Sequence, residues 1–169
     1  MRGRAAAASI AQAIAGMRQS ARAAAQIFAA HGATAMTDVS GFGLAGHLGE
    51  MLKASRATAE LDLAAISLYE GARDLAIAGI ASTLLPENLA AGGIIRGDLD
   101  PATRAVLFDP QTAGGLLAGI PPGRAAECVA ALTAAGYTDA AVIGSVREAG
   151  EASIVTKNDM QLGVGVARG

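Results

Sequence analysis

The chain has 169 residues, including 22 Gly and 42 Ala, and its 13 basic and 15 acidic residues leave a net charge of only -2. This balance argues against nucleic acid as a partner, because phosphate backbones require a basic surface and five scattered aromatic residues offer no platform for stacking bases. A single cysteine, Cys128, excludes an internal disulfide and a multi-cysteine metal site, which favours a cytoplasmic location. The apolar stretch Leu75–Leu85 is far shorter than the ~20 residues that span a bilayer, so no membrane partner is expected.

The N-terminal segment predicts one continuous helix from Ala5 to His31, stopped by Gly32. Apolar residues recur in it at spacings of three and four, which makes one stripe that we expect to pack into the core. The stripe comprises Ile10, Ile14, Met17, Ala21, Ala24 and Phe28. It favours a core-packing helix over the alternative, a signal or transit peptide beginning with Arg2 and Arg4.

Strands and helices alternate over the rest of the chain. Strands are predicted at Ala33–Val39, Ala57–Leu63, Leu116–Ile120, Ala140–Val146 and Ser153–Thr156. Helices are predicted at Leu44–Ser55, Tyr69–Ala78, Ala102–Leu107 and Pro121–Ala135. Apolar and polar residues alternate in Ala57–Leu63, which is typical of a half-buried strand. Pro86 is expected to interrupt the chain within a surface loop rich in Gly and Asn.

This pattern predicts helices layered on a mixed sheet, in an α+β or α/β fold. The length predicts one domain over residues 1–169, with residues 1–31 as an N-terminal helix and residues 158–169 as a tail that frays.

A first candidate site lies where Asp38 ends a predicted strand and a glycine loop leads into a helix. Free backbone N–H groups at a helix start favour an anion, and a carboxylate beside them suits a divalent cation. Phosphate near Gly41 and Gly43 and a cation on Asp38 are therefore compatible with this segment. The alternative is an ordinary strand-to-helix turn.

A second candidate site places Asp109 before a proline turn, followed by the polar Gln111 and Thr112 and the glycine pair Gly114 and Gly115. Adjacent glycines allow another backbone or a ligand to approach closely. The alternative is a tight turn in which the Asp109 carboxylate accepts local N–H bonds.

Three further residues are interpreted as structural. His47 is expected to be a packed or capping histidine, His31 to lie at a helix C-terminus, and Cys128 to be a buried thiol with no cation beside it. The pattern contains no recognisable Ser-His-Asp arrangement, Walker loop or metal-ligand cluster, so no catalytic residue is predicted in this chain.

Residues 37–48 read TDVSGFGLAGHL and residues 107–117 read LFDPQTAGGLL. In this order and at this separation, the two segments resemble the paired motifs of the selenophosphate synthetases, also called selenide, water dikinases. Residues 17–24 are similar to the helix that precedes the first motif in that family, and Pro86-Glu87-Asn88 lies where its members carry a related loop. The resemblance covers roughly residues 10 to 157 and only the C-terminal half of the family's pattern.

The resemblance implies a fold like the C-terminal domain of aminoimidazole ribonucleotide synthetase, an α+β domain with a mixed, largely antiparallel sheet. It implies a reaction in which ATP, selenide and water give selenophosphate, AMP and phosphate with Mg²⁺. Asp38 matches the position of a metal carboxylate in that family. The other implied binding residues shape loops of the cleft: Gly41, Gly43, Asp109, Gln111, Thr112, Gly114 and Gly115. Thr112-Ala113-Gly114 departs from the usual Thr-Ser-Gly and loses one hydroxyl.

The implied partners are ATP, selenide and an N-terminal synthetase domain that carries the catalytic residues and is absent from this sequence. Both ATP and Mg²⁺ would require that domain, and the complete enzyme would form a homodimer. The alternative hypothesis is a non-catalytic module of the same superfamily that binds a nucleotide or a partner protein.

Overall fold

The computed structural model describes residues 5–148 and 151–156, so Arg2, Arg4 and the predicted tail at 158–169 lie outside it. The helices in this part are α1 (Ala7–Arg18), α2 (Arg22–Ala30), α3 (Gly43–Ser55), α4 (Ala72–Ile77), α5 (Leu85–Ala90), α6 (Pro101–Leu107) and α7 (Pro122–Ala134). The strands are β1 (Ala35–Asp38), β2 (Ala57–Leu61), β3 (Ile95–Arg96), β4 (Leu116–Gly119), β5 (Gly144–Glu148) and β6 (Ser153–Thr156), and a 3-10 turn covers Leu63–Ala65.

The described strands form two sheets. Four of them follow the order β3-β6-β2-β5, in which β2 pairs antiparallel with β5 and parallel with β6, and β6 pairs parallel with β3. The other two, β1 and β4, form an antiparallel pair in which Asp38 lies opposite Leu116. The predicted α+β class with a mixed sheet is confirmed, and the described pairings divide evenly between parallel and antiparallel.

Two apolar clusters hold these layers together. The larger one packs α3 and α6 onto the four-stranded sheet, and its most buried members include Leu61, Leu107 and Ile154. The smaller one joins α2, α7 and β4 through Ala24, Cys128 and Leu132, all of them buried. Alanines at such contacts let helices approach closely, which suits a chain with few large apolar side chains.

The N-terminal region departs from the prediction of one continuous helix, because the chain leaves the helical path between Arg18 and Arg22. The Ser20 hydroxyl accepts the N–H of Arg22 at 3.3 Å. The Tyr137 hydroxyl donates to the Ser20 carbonyl at 2.6 Å and accepts the N–H of Ala24 at 3.2 Å. These bonds offer the backbone an alternative to the helical ladder, so the break is stabilised by a residue distant in sequence.

The predicted apolar stripe is only partly correct. Ala24 is buried and Phe28 packs on the smaller cluster, as expected. However, Ile10, Ile14 and Met17 on α1 are 50%, 51% and 49% exposed. The break separates α1 from α2, and these three residues do not pack into the core that buries Ala24.

Strand β2 was predicted to be half-buried. Ala59 and Leu61 are buried as expected and Glu60 is partly exposed, but Thr58 on the opposite face is buried as well. Thr58, expected to face solvent, is buried with its hydroxyl at 3.1 Å from both the Ser153 hydroxyl and the Glu151 carbonyl. A buried hydroxyl with two hydrogen-bond partners costs little, so a threonine in an alternating pattern does not by itself indicate exposure.

The prediction that Pro86 interrupts the chain is wrong. Pro86 lies in the first turn of α5, where its missing N–H would have had no helical partner in any case. The short strand β3 was also not predicted, since it has only two residues.

The remaining predicted elements agree with the structure to within a few residues, except that β5 begins at Gly144 rather than Ala140. Helix α6 starts as expected at Asp100-Pro101, where the Asp100 carboxylate accepts the N–H groups of Ala102 and Thr103 at 3.1 Å. The Thr103 hydroxyl bonded to Asp100 lowers the pKa of that carboxyl. Over the residues described, no helix has both the length and the apolar character needed to cross a membrane.

Candidate functional site

The first candidate segment follows the course that the sequence predicts, from strand β1 through a short loop into helix α3. Asp38 is the last residue of β1 and is exposed. Within the described ranges its carboxylate forms no hydrogen bond or ion pair, so its oxygens are available to a ligand. The loop closes through a bond from the Gly43 N–H to the Ser40 carbonyl at 3.0 Å.

The two motif segments, about sixty residues apart in sequence, form one unit in space. The Val39 N–H donates to the Gly115 carbonyl at 2.9 Å, and the Gln111 N–H donates to the Ser40 carbonyl at 3.0 Å. The first bond extends the β1–β4 pairing by one position, and the second joins the two loops outside that register. We call this arrangement, residues 38–43 with residues 109–115, the loop unit.

Asn88 links the two motif segments of the loop unit by hydrogen bonds. Its buried side-chain amide donates to the Gly41 carbonyl and to the Phe108 carbonyl, each at 2.9 Å. One side chain from α5 therefore satisfies a carbonyl of each motif segment. The sequence placed Asn88 only in a related loop and did not identify this role, because neither partner is near it in the chain.

The four glycines of the loop unit fall into two groups. Gly43 has a left-handed backbone with φ +70, and a Cβ there would lie 2.6 Å from the Phe108 carbonyl carbon. A Cβ on Gly114 would overlap the Val39 carbonyl oxygen. By contrast, a Cβ on Gly41 or Gly115 would meet no described atom within 4 Å. Packing therefore explains Gly43 and Gly114, whereas Gly41 and Gly115 face open space.

Asp109 is partly buried within the loop unit. Its carboxylate accepts the Gln111 side-chain amide at 3.3 Å, and that amide also donates to the Asp109 carbonyl at 3.2 Å. Burial raises the pKa of the Asp109 carboxyl, and the Gln111 bond opposes the shift. The predicted alternative, a turn closed by backbone N–H bonds to this carboxylate, is not what the structure has, since the Gln111 N–H goes to Ser40. Thr112 is exposed.

His47 is buried against the loop unit, in agreement with the prediction of a packed or capping histidine. The structure adds a connection that the sequence did not reveal. The His47 Nε2 atom lies 3.2 Å from the Ser40 hydroxyl and 3.4 Å from the Phe42 nitrogen, and its Nδ1 lies 3.2 Å from a Glu50 oxygen. The spacing of His47 and Glu50, three residues apart on a helix, is the one local signal that could have indicated it.

The other residues singled out from sequence are structural, as predicted. Cys128 is buried in the smaller cluster, and this burial raises the pKa of its thiol. His31 caps the end of α2, with Nδ1 at 2.8 Å from the Ile27 carbonyl.

A metal site is not complete in the part of the chain that the structure describes, since no three His, Cys, Asp or Glu residues there are grouped to hold an ion. Asp38 fits the role of a single oxygen ligand, because its carboxylate is exposed and unpaired within that part. A hard cation such as Mg²⁺ needs several oxygen ligands, so Asp38 alone, among the described residues, would not hold one.

The described residues form helices on a mixed sheet, with two glycine loops joined by hydrogen bonds at one end of the β1–β4 pair. A sequence model of the family "AIR synthase related protein, C-terminal domain" matches residues 9–157, and the chain belongs to this family. The predicted fold is that of the family.

The chain is also similar to several proteins named selenide, water dikinase. The one from Clostridioides difficile is 35% identical over 131 residues, which is 76% of this chain and 38% of the relative. The one from Myxococcus xanthus is 43% identical over 131 residues, or 75% and 37% of the two chains, and the one from Trichlorobacter lovleyi is 41% identical over 118 residues, or 69% and 34%. The resemblance inferred from the motifs is confirmed, and the chain spans little more than a third of the length of these relatives.

Proposed function

We propose that this chain is the C-terminal domain of a selenide, water dikinase, the enzyme class that converts ATP, selenide and water to selenophosphate, AMP and phosphate. The observation that carries this proposal is the loop unit. Two segments that match the family's motifs are joined by backbone hydrogen bonds and end beside an exposed carboxylate, Asp38.

Asp38 is proposed to supply one carboxylate ligand to Mg²⁺. When bound, the ion would neutralise charge on the phosphates of ATP and hold them in place. One carboxylate cannot hold such an ion against a polyphosphate. The site is therefore completed by an N-terminal synthetase domain, and the chain alone catalyses no reaction.

The loop unit is proposed to line the cleft that faces this second domain. Gly41 and Gly115 support this role, because no described atom occupies the space where a Cβ would stand. Gly43, Gly114, Asp109 and Gln111 would hold the loops in shape, and the exposed Thr112 would offer a hydroxyl toward the cleft. The complete enzyme is proposed to be a cytoplasmic homodimer that acts on ATP and selenide.

The metal role of Asp38 is tested by Asp38→Ala in the gene product that contains this chain. Formation of AMP and selenophosphate from ATP, selenide and Mg²⁺ should be lost, while the melting temperature should stay near that of the unchanged protein. Asp98→Ala, at another exposed aspartate, is the matched control and should keep turnover.

Two outcomes would count against this assignment. Turnover that survives Asp38→Ala would exclude a role for this carboxylate in holding the ion. A large fall in melting temperature would instead identify Asp38 as a structural residue. An unchanged gene product that forms neither AMP nor selenophosphate would contradict the proposed reaction itself.

A further inference from the structure

Three side chains in contact connect the loop unit to the first turns of α3: Ser40, His47 and Glu50. The Ser40 hydroxyl and the Phe42 N–H both point at His47 Nε2, at 3.2 and 3.4 Å, and Nδ1 faces Glu50 at 3.2 Å. His47 is 8% exposed, whereas Phe42 is 54% exposed. A buried ring thus contacts a loop that itself lies at the surface.

The partners determine where the proton of a neutral His47 ring resides. A backbone N–H can only donate, so Nε2 must present its lone pair to Phe42. The proton then lies on Nδ1, where it is donated to the Glu50 carboxylate. With Nε2 as acceptor, the Ser40 hydroxyl donates to it as well, so the one lone pair of Nε2 is shared between the Ser40 O–H and the Phe42 N–H.

The same ring therefore positions two residues of the loop. Ser40 is held by its hydroxyl, and its carbonyl accepts from Gln111 of the second motif segment and from Gly43. Phe42 is held by its N–H and by ring contact, with centroids 5.4 Å apart. Fixing a surface loop adds little buried apolar area, so these contacts serve the shape of the loop rather than the core.

We propose that His47 is a positioning residue of the loop unit. Its Nε2 fixes Ser40 and Phe42, and Glu50 selects the tautomer that makes this possible. The loop then keeps Asp38 and Gly41 in place. A cation would bind the Asp38 carboxylate, and its phosphate ligand would lie in the open space beside Gly41. This inference rests on the proposed function for its consequence, but the positioning itself is measurable without any ligand.

The tautomer is tested by long-range ¹H–¹⁵N NMR of the His47 ring in the labelled chain. The unchanged chain should show a protonated Nδ1 and an unprotonated Nε2. Glu50→Ala should give a mixture of the two tautomers, because the carboxylate that favours Nδ1–H is gone. A ring that carries its proton mainly on Nε2 in the unchanged chain would overturn the proposal.

A matched pair of variants tests the contact to the loop. In His47→Gln the side-chain oxygen reaches the position of Nε2 and still accepts, whereas in His47→Asn the side chain is too short. Amide exchange at Phe42 should accelerate about tenfold in His47→Asn, as expected for one lost hydrogen bond, and return close to the original rate in His47→Gln. Amides of β2 should be unaffected in both.

Equal acceleration in both variants, or acceleration that includes β2, would show that His47 is only a packing residue. If His47→Asn does not fold, two other variants decide the question. Amide exchange at Phe42 is then measured in Ser40→Ala, and the tautomer of the His47 ring is measured in Glu50→Ala.

Mn²⁺, used alone as a probe in place of Mg²⁺, tests the consequence for the cation. Broadening of the Val39 and Ser40 amides is expected in the unchanged chain and in His47→Gln, with a several-fold weaker effect in His47→Asn. Equal broadening in all three proteins would overturn the link between His47 and the cation. If none of them responds, the chain alone does not hold the ion, as expected for an incomplete site, and the tautomer and exchange measurements decide the positioning role.

Discussion

Gly41 and Gly43 lie two residues apart in the same loop, yet the backbone conformation and the neighbouring atoms exclude a side chain only at Gly43. Gly43→Ala should lower the free energy of unfolding by about 2 kcal/mol or more, because it combines a left-handed backbone with overlap against Phe108. Gly41→Ala should change it by less than about 0.5 kcal/mol, since its Cβ meets open space. Urea denaturation of the two variants measures the difference, and equal losses would contradict the division of the glycines into two groups.

Asp109 makes stability depend on pH in a definite direction. Burial raises the pKa of this carboxyl above its ordinary value of 3.8, so the folded chain binds the proton more tightly than the unfolded chain. Its contribution is therefore fully present below the ordinary value and is lost as pH rises through the folded-state pKa.

The expected consequence is that Asp109→Asn stabilises the chain near neutral pH. The gain should be under about 1 kcal/mol because the carboxyl is only partly buried, and it should vanish in acid. The asparagine oxygen can still accept from Gln111, and Asp98→Asn serves as the exposed control. Denaturation midpoints at neutral and acidic pH give the measurement, and a variant that is less stable at neutral pH would contradict the sign.

At the scale of elements, the break between α1 and α2 depends on the side chain of Tyr137, three residues after the end of α7. Tyr137→Phe removes the bonds to the Ser20 carbonyl and the Ala24 N–H, so it should cost about 1–2 kcal/mol. Tyr69→Phe is the matched control, because in the described residues the Tyr69 hydroxyl covers Gly16 without a hydrogen bond. That control should lie within about 0.5 kcal/mol of the unchanged chain.

Thermal unfolding of the two Tyr→Phe variants compares them directly. A greater loss for Tyr69→Phe than for Tyr137→Phe would show that packing on α1, rather than the hydroxyl of Tyr137, holds the N-terminal helices.

At the scale of the whole molecule, Asp38 is the one exposed carboxylate of the loop unit, so under the proposed function the chain carries only half of a binding site. Calorimetry of the chain with ATP and Mg²⁺ should therefore detect weak binding or none. Firm binding by the chain alone would instead favour the alternative function, a non-catalytic module that binds a nucleotide. Selenide-dependent AMP formation by the complete gene product separates these functions independently.

Much of the fold follows from local patterns. Helices α3, α6 and α7 and strand β6 lie close to their predicted positions because an apolar period, a capping Asp100 and a terminal glycine each act within a few residues. The motif segments were likewise identified, with Asp38 at the end of a strand as expected.

Two of the errors share one physical cause, which is a partner distant in sequence. Tyr137, 113 residues from Ala24, stabilises a break inside a segment with a continuous helical period. Thr58 of strand β2 is buried because its hydroxyl is bonded to Ser153 and Glu151, which lie 95 and 93 residues further along the chain. A short stretch of sequence contains only one partner of each contact, so local patterns cannot indicate either of them.

The sequence by itself determined the family, the two glycine-rich motifs and the choice of Asp38, because each depends on residue identities close together in the chain. Only the tertiary structure decided that the two motifs share hydrogen bonds, that Asn88 joins them across 47 residues to Gly41, and that His47 lies between Ser40 and Glu50. Hydrogen bonds act over about 3 Å in space whatever the distance along the chain, so the partners of a loop emerge only once the sheet has brought them together.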